Sequence, residues 1–324
     1  MGTTDRISRY LTAHDLAENL ARDVRQGLRK RPKALPPKYF YDARGSAMFE
    51  EITRLAEYYP TRAEEAILTN WATEIAELAE GEMLVELGSG SSTKTRLLLD
   101  AMRTTGRLRW YVPVDVSDTA LQGAMEALGA DYPDLQMHGV VADFEQHLEH
   151  LPQGSHRMIA FLGGTIGNLE PAQRGAFLAA VRAGLNDSDR LLLGTDLVKD
   201  PDRLVAAYDD AAGVTANFNR NVLYVINRAL RADFVPSAFE HVAVWDAKHE
   251  WIEMRLRSTS AQTVRIRDLD LEVVFEAGEE MRTEVSAKFR QEGVEKELAA
   301  AGFAVESWWT DPGNDFAVSL AVPV

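Results

Sequence analysis

Between residues 63 and 198 short apolar runs alternate with amphipathic helical stretches, and this alternation constrains the fold more than any other feature of the chain. Strands are expected at 83–87, 108–116, 135–144, 158–162 and 190–197, with helices at 94–102, 121–128 and 172–185 between them. Apolar strands separated by helices pair in parallel and are buried on both faces, and their crossovers are right-handed. The chain ends on a helix at 294–301 and strands at 305–310 and 316–322, the two strands joined by Asp311-Pro312-Gly313-Asn314-Asp315. Five residues are too few for a parallel crossover, so the last strand is expected to be antiparallel. The fold class is therefore α/β: a Rossmann-like, mostly parallel sheet with an antiparallel last strand.

From 199 to 288 the alternation stops. A helix near 201–212 precedes strands at 240–245, 251–258, 263–267 and 271–275, with Asp246-Ala247-Lys248-His249-Glu250 as a hairpin turn. Near the start, 14–32 reads as an amphipathic helix with Leu16, Leu20, Val24 and Leu28 at four-residue spacing. A helix-breaking stretch follows, with Pro32, Pro36 and Pro37, ending in Tyr39-Phe40-Tyr41. After a helix near 45–55, Thr61 is placed to cap the next one. The expected organisation is one domain from 63–197 with 289–324, and a discontinuous α+β domain from 1–62 with 198–288.

Composition narrows the chemistry. Among 324 residues, 35 Lys and Arg stand against 50 Asp and Glu, a net charge of −15. Such a surface repels polyanions, which disfavours nucleic-acid and membrane partners. The absence of cysteine removes thiol catalysis, disulfides and thiolate metal sites, and fits a cytoplasmic location. The first twenty residues have no apolar core of signal-peptide length, Arg6 stands where a myristoylation signal wants Ser or Thr, and no run reaches the ~18 apolar residues of a membrane span. His147 and His150, on what reads as a solvated acidic helix, do not make a metal set, so no metal is expected.

The sharpest local motif is Glu86-Leu87-Gly88-Ser89-Gly90, at a strand end and before a helix. Glycines there allow a tight turn and close approach to a ligand. A triphosphate loop would need Gly before Lys94, and a dinucleotide loop a third Gly; both want it at position 93, which is Thr. A carboxylate at Glu86 is unfavourable beside a pyrophosphate and acceptable beside a sulfonium. Asp115 ends the next strand, where a ribose diol is gripped, although Asp115 or Ser117 would equally cap the following helix. Asp143-Phe144 ends the third strand, an acid for an adenine amino group and a ring for the base. The fourth strand runs into Gly163-Gly164-Thr165-Ile166-Gly167-Asn168 at the same expected edge.

With these segments on the page, the chain resembles the histidine-specific Nα-methyltransferases of ergothioneine biosynthesis, which are class I S-adenosylmethionine-dependent enzymes. The resemblance rests on Leu35-Pro36-Pro37-Lys38-Tyr39-Phe40-Tyr41-Asp42, Glu57-Tyr58-Tyr59-Pro60-Thr61-Arg62, the Glu86–Gly90 loop, Thr165-Ile166-Gly167-Asn168 and Gly194-Thr195-Asp196-Leu197-Val198-Lys199-Asp200. It continues through Ala206-Ala207-Tyr208-Asp209-Asp210, Phe218-Asn219-Arg220-Asn221 and Glu284-Val285-Ser286-Ala287-Lys288-Phe289. The chain departs from the pattern at Gly164, where relatives carry Ser, and at Ala287, where some carry Cys.

The resemblance implies that Tyr41, Gly88, Lys94, Asp115, Asp143 and Phe144 bind S-adenosylmethionine, and that Tyr58, Asn168, Tyr208, Glu284, Val285 and Ser286 bind histidine, with Met254 padding the pocket. Taken singly, the tyrosines read as core, Glu284 as a solvated strand residue and Asn168 as a turn former. Glu284 and Ser286, two apart on a strand, share one face, and a carboxylate beside a hydroxyl suits the two nitrogens of an imidazole. The implied reaction is direct transfer to the neutral α-amine of L-histidine, repeated three times to give histidine betaine (hercynine), by a monomer that uses no metal. Tyr41 and water are the two candidate proton acceptors. Alternatives are the same fold acting on another amino acid or aromatic amine, and a nicotinamide-dependent oxidoreductase, which the missing third Gly disfavours.

Overall fold

The computed structural model describes residues 6–90, 94–154 and 156–324. The chain forms two compact units, Met1–Leu11 with Pro60–Leu197 and Phe289–Val324, and Thr12–Tyr59 with Val198–Lys288.

Among the described residues, the first unit is built on one sheet of nine strands. In spatial order it runs Ile7–Arg9, Gly139–Val141, Trp110–Asp115, Met83–Leu87, Arg157–Phe161, Arg190–Asp196, Phe316–Pro323 and Phe303–Thr310, with Gln136–Met137 also on Trp110–Asp115. Neighbours are parallel up to Arg190–Asp196. Phe316–Pro323 then inserts antiparallel between that strand and Phe303–Thr310. This is the mostly parallel layout, with an antiparallel last strand, of a class I methyltransferase. Helices Pro60–Ala79, Thr95–Thr104, Asp118–Asp131, Pro171–Ala183 and Gln291–Ala300 belong to this unit. Leu84, Val85, Val112, Ile159, Leu191 and Leu192 are fully buried, and each such side chain contributes roughly 1.5–3 kcal/mol.

Several expectations need correction. Ile7–Arg9 pairs in parallel with Gly139–Val141 and so belongs to this sheet, although residues 1–62 were expected in the other domain; a three-residue strand is too short to show a period. The expected strand at 135–144 is two short pieces, Gln136–Met137 and Gly139–Val141. A side chain at position 139 would meet Met125 Sδ at 2.6 Å and Leu121 Cδ2 at 2.9 Å, so glycine there lets these side chains pack close to the strand. The helix expected to be capped by Thr61 begins at Pro60; proline has no N–H to leave unsatisfied at the first helical position, so Thr61 lies inside the first turn. His147 and His150 are not on an α-helix: Leu148–His150 is a single 3-10 turn.

In the second unit the helix Ala13–Gly27 starts on a reciprocal capping box between Thr12 and Asp15. Leu20, Val24 and Leu28 are buried, whereas Leu16 is 40% exposed, one turn too early on the stripe. Helices Ala43–Ile52, Pro201–Tyr208 and Val214–Leu230 follow. The helix expected to reach 212 stops at Tyr208, because Asp210 turns to cap the next one, accepting the Val214 and Thr215 N–H groups at 3.0 and 2.7 Å. A four-stranded sheet runs Lys33–Ala34, Glu280–Ala287, Trp251–Ser258, Phe239–Asp246, and Gln262–Ile266 pairs with Leu271–Phe275. Asp246 closes the expected turn by accepting the Lys248 and His249 N–H groups. No helix among the described residues is long and apolar enough to cross a membrane.

One buried ion pair closes the end of the first sheet where the parallel strands start. Arg157, at the start of its strand, donates from Nε and Nη2 to Asp189 at 3.1 and 2.6 Å, and its own N–H reaches the other carboxylate oxygen at 2.8 Å. The pair is essentially sealed from solvent. Removing one member leaves an uncompensated buried charge, so Asp189→Ala is expected to lower stability by about 3–5 kcal/mol. Adding Arg157→Met should recover most of that loss. Urea unfolding of the two variants checks this; a loss below about 1 kcal/mol for Asp189→Ala would mean that Arg157 is solvated.

Candidate functional site

In the first unit the candidate residues gather where the parallel strands end. Gly88 and Gly90 have φ of +71° and +50°, and a side chain at either would meet nothing within 4 Å. The glycines are therefore demanded by backbone conformation, and the loop offers open, approachable backbone. The turn is pinned by Gly88 N–H donating to Val114 O at 2.8 Å. Asp115 accepts Gly90 N–H at 3.1 Å and Ser117 N–H at 2.9 Å, so one carboxylate joins the glycine loop to the second strand end. Burial pushes the Asp115 carboxyl upward, against the lowering effect of its backbone N–H donors. The helix cap is Ser117, which accepts Ala120 N–H.

Glu86 does not face a ligand as expected. Its two oxygens are engaged by Tyr111 Oη at 2.6 Å and Thr95 Oγ1 at 2.8 and 2.9 Å. It braces the loop from within. Lys94 pairs with Glu64, a fully buried carboxylate that also accepts Gly163 N–H at 2.7 Å. Asp143 is buried and organises its own turn, accepting Glu145 N–H at 3.0 Å and Gln146 Nε2 at 3.1 Å. The half-buried Phe144 packs edge-on against Phe161, centroids 5.1 Å apart. Asp143 N–H is taken by His147 Nδ1 at 3.1 Å, and no cluster of metal-ligating side chains occurs among the described residues. Gly163 and Gly164, at φ +75° and +68°, lead into the 3-10 turn Thr165–Asn168. Asn168 ends that turn half-buried. A side chain at 164 would lie 3.4 Å from the Phe316 ring, so backbone conformation rather than space favours glycine there.

In the second unit a different set converges. Ser286 Oγ and Tyr208 Oη lie 2.7 Å apart. Lys288 Nζ donates to both, at 2.9 Å to Tyr208 and 2.8 Å to Ser286. Glu284 lies on the same strand face as Ser286 and is 9% exposed. Its cross-strand partner is Met254, which is buried in the core of this unit. Alternation turns the Val285 side chain, opposite Glu253, to the other face. Tyr58 packs edge-on to Tyr208 with centroids 6.3 Å apart. Tyr41 also belongs to this unit, unlike the other five cofactor candidates, and its ring lies 5.5 Å from both Phe49 and Phe218.

The chain matches the family described as "Histidine-specific methyltransferase, SAM-dependent" over residues 20–323. It belongs to that family. It is 58% identical over 316 residues to the Histidine N-alpha-methyltransferase of Mycolicibacterium smegmatis, covering 98% of each chain. It is 55% identical over 302 residues to the protein of the same name in Mycobacterium tuberculosis, covering 93% of this chain and 94% of that one. It is also 31% identical over 300 residues to Ergothioneine biosynthesis protein 1 of Neurospora crassa, covering 89% of this chain and 33% of that one.

For this histidine-specific methyltransferase the sequence reading missed Glu64, Lys288 and the buried pair Asn219–His241. Lys288 carried a signal: it continues the Glu284, Ser286 period by two. Glu64 carried none, because its partner Gly163 is 99 positions away.

Burial raises the Glu86 carboxyl to about 7, although bonds from Tyr111 and Thr95 and the Lys94 charge pull it down. The folded state therefore holds this proton more tightly than the unfolded chain, and stability falls as pH rises from about 4.5 through 7. The fall is about 3 kcal/mol at most. Glu86→Gln should remove this loss, so urea unfolding at acid and alkaline pH should show the variant gaining on wild type toward alkaline pH. A constant difference would show that Glu86 titrates alike in both states.

Proposed function

We propose that this chain transfers methyl groups from S-adenosylmethionine to the α-amine of L-histidine, three times in succession, yielding histidine betaine for ergothioneine biosynthesis. The observation that carries the reading is the polar face of Glu280–Ala287, with the buried Glu284 and Ser286 on one side of the strand and Tyr208 and Lys288 bonded to Ser286, within a chain of the histidine-specific family. Glu284 accepts the ring N–H and Ser286 meets the other ring nitrogen. Tyr58, Tyr208 and Asn168 offer uncharged donors to the carboxylate.

The open glycine loop and the carboxylate beside it fit the cofactor. Asp115 would hold the ribose hydroxyls, Asp143 the adenine amino group, Phe144 the base, and Gly88, Lys94 and Tyr41 the remainder. Bound there, S-adenosylmethionine supplies an electrophilic methyl on sulfur. The amine must be neutral to attack: its lone pair forms the N–C bond as the C–S bond breaks, and one proton leaves per round. Such a displacement gains chiefly from orientation and proximity, which can lower a barrier by about 7–11 kcal/mol. The reading includes a cytoplasmic monomer acting on small molecules, and the charge of −15 supports the absence of polyanion partners.

Incubation of the purified protein with S-adenosylmethionine and an amino-acid mixture, followed by mass spectrometry, should show three methyl groups on histidine and none on the others. Methylation of a different amino acid in its place would overturn the reading. Glu284→Ala should weaken histidine binding by about tenfold to a hundredfold while cofactor affinity is kept; equal loss of both would make Glu284 structural.

A further inference from the structure

Given the assignment of Asn168 to the substrate carboxylate, we propose that Arg174 is a positioning residue: it fixes the turn that presents Asn168. Thr165–Asn168 is a single 3-10 turn, and a turn of this kind has few bonds of its own. Gly167 N–H reaches Gly164 O at 2.9 Å, and Leu169 N–H reaches Ile166 O at 3.2 Å. Where the Asn168 amide stands therefore depends on what grips the chain on either side of the turn.

Both sides are gripped by buried charged side chains from other parts of the first unit. On the entering side the Glu64 carboxylate accepts Gly163 N–H at 2.7 Å. On the leaving side Arg174 Nη1 donates to Leu169 O at 2.9 Å, and Leu169 directly follows Asn168. Arg174 itself has little freedom. Its Nε and Nη2 form a fork with both Glu297 oxygens at 2.8 and 2.6 Å, and its guanidinium lies over the Phe289 ring, 5.1 Å from the centroid. The side chain is 8% exposed, so these bonds are poorly screened. The fork sets the plane of the guanidinium, and in that plane Nη1 points at the Leu169 carbonyl. A tie between the helices Pro171–Ala183 and Gln291–Ala300 needs only the fork; the further bond goes to the backbone beside Asn168. Without Arg174 the turn keeps its own two bonds, but the Asn168 amide is no longer held where a carboxylate would meet it. The cofactor candidates do not depend on this clamp: Gly88 and Gly90 are pinned by Val114 O and Asp115, and Asp143 organises its own turn.

The test is calorimetric titration of the purified protein, with S-adenosylhomocysteine present, using L-histidine and histamine, which lacks the carboxylate. Arg174→Met keeps an apolar stem and removes the fork and the bond to Leu169. It should weaken histidine about tenfold, with histamine changed by less than about twofold and S-adenosylhomocysteine by less than about threefold. Asn168→Ala should show the same pattern. For histidine the double variant should cost less than the sum of the two single changes, because Arg174 acts through Asn168. A role confined to tying the two helices would weaken both probes alike or leave both unchanged; either result overturns the proposal, as do additive costs. Should Arg174→Met not fold, Glu297→Gln decides, since that side chain is 35% exposed and its amide offers a single acceptor to the fork. It should weaken histidine about threefold with histamine unchanged, and equal effects on the two probes overturn the proposal. If Asn168→Ala does not separate histidine from histamine, the assignment of Asn168 to the carboxylate falls first and takes the role of Arg174 with it.

Discussion

A parallel sheet buried on both faces leaves polar chemistry almost nowhere to go except the strand ends, and the first unit follows from that constraint. Leu84 and Val85, neighbours on one strand and therefore on opposite faces, are both fully buried, as are Leu191 and Leu192. Neither face can hold an uncompensated charge without several kcal/mol of desolvation. Acids accordingly stand at the carboxyl ends or just beyond, as Glu86, Asp115, Asp143 and Asp196. There they meet the orphan N–H groups of the turns, as Asp115 meets Gly90 and Ser117. The polar groups that a cofactor would contact are thus also the groups that make each turn foldable, which is why a capping reading and a binding reading of the same residue are not in competition.

That double duty explains what the sequence disclosed. Glu86, Asp115 and Asp143 were legible because position at a strand end is a one-dimensional property, visible once the apolar runs are marked. The antiparallel last strand was legible because a five-residue loop has a fixed reach. What stayed hidden depends on distance in three dimensions. Lys94 and Glu64 are 30 positions apart, and Lys288 and Tyr208 are 80 apart. A period of two points to Lys288 but not to its partner Tyr208, and no period points from Lys94 to Glu64. The direction of Glu86 was misread for the same reason: its partners Tyr111 and Thr95 lie on two other elements. Leu16 was misread more simply, since a four-residue spacing drifts around a helix of 3.6 residues per turn until one end of the stripe leaves the core.

The second unit obeys a looser rule. Its Glu280–Ala287 strand places Met281 in the apolar core and Glu284 and Ser286 among residues of that core. A polar group there survives only with partners. The register shift between Met254 and Arg255 puts one extra residue, Thr283, in this strand. A bulge of this kind re-aims the side chains beyond it. The strand can therefore give Met281 to the packing and the following residues to chemistry, a change of use that strict alternation would not allow.

Directionality within the buried network completes the arrangement. The carbonyl of Tyr208 ends a helix and needs a donor. His241 Nε2 lies 2.7 Å from it, so that nitrogen carries the hydrogen and Nδ1 must accept. Burial lowers the His241 pKa, which keeps the ring in this neutral form. The group 2.8 Å from Nδ1 must then be the Asn219 amide nitrogen, whose second hydrogen goes to Arg255 O at 3.1 Å. That fixes Asn219 Oδ1 as the acceptor of Thr283 Oγ1 at 2.6 Å. Each step follows from the one before, and the chain runs without a break from the residue preceding Glu284 to the backbone of Tyr208. The strand that carries Ser286 and the helix that ends at Tyr208, whose hydroxyls lie 2.7 Å apart, are thus tied by one network of fixed polarity. A reversal at any member would leave a buried donor or acceptor unpaired, at a cost of about 1–3 kcal/mol.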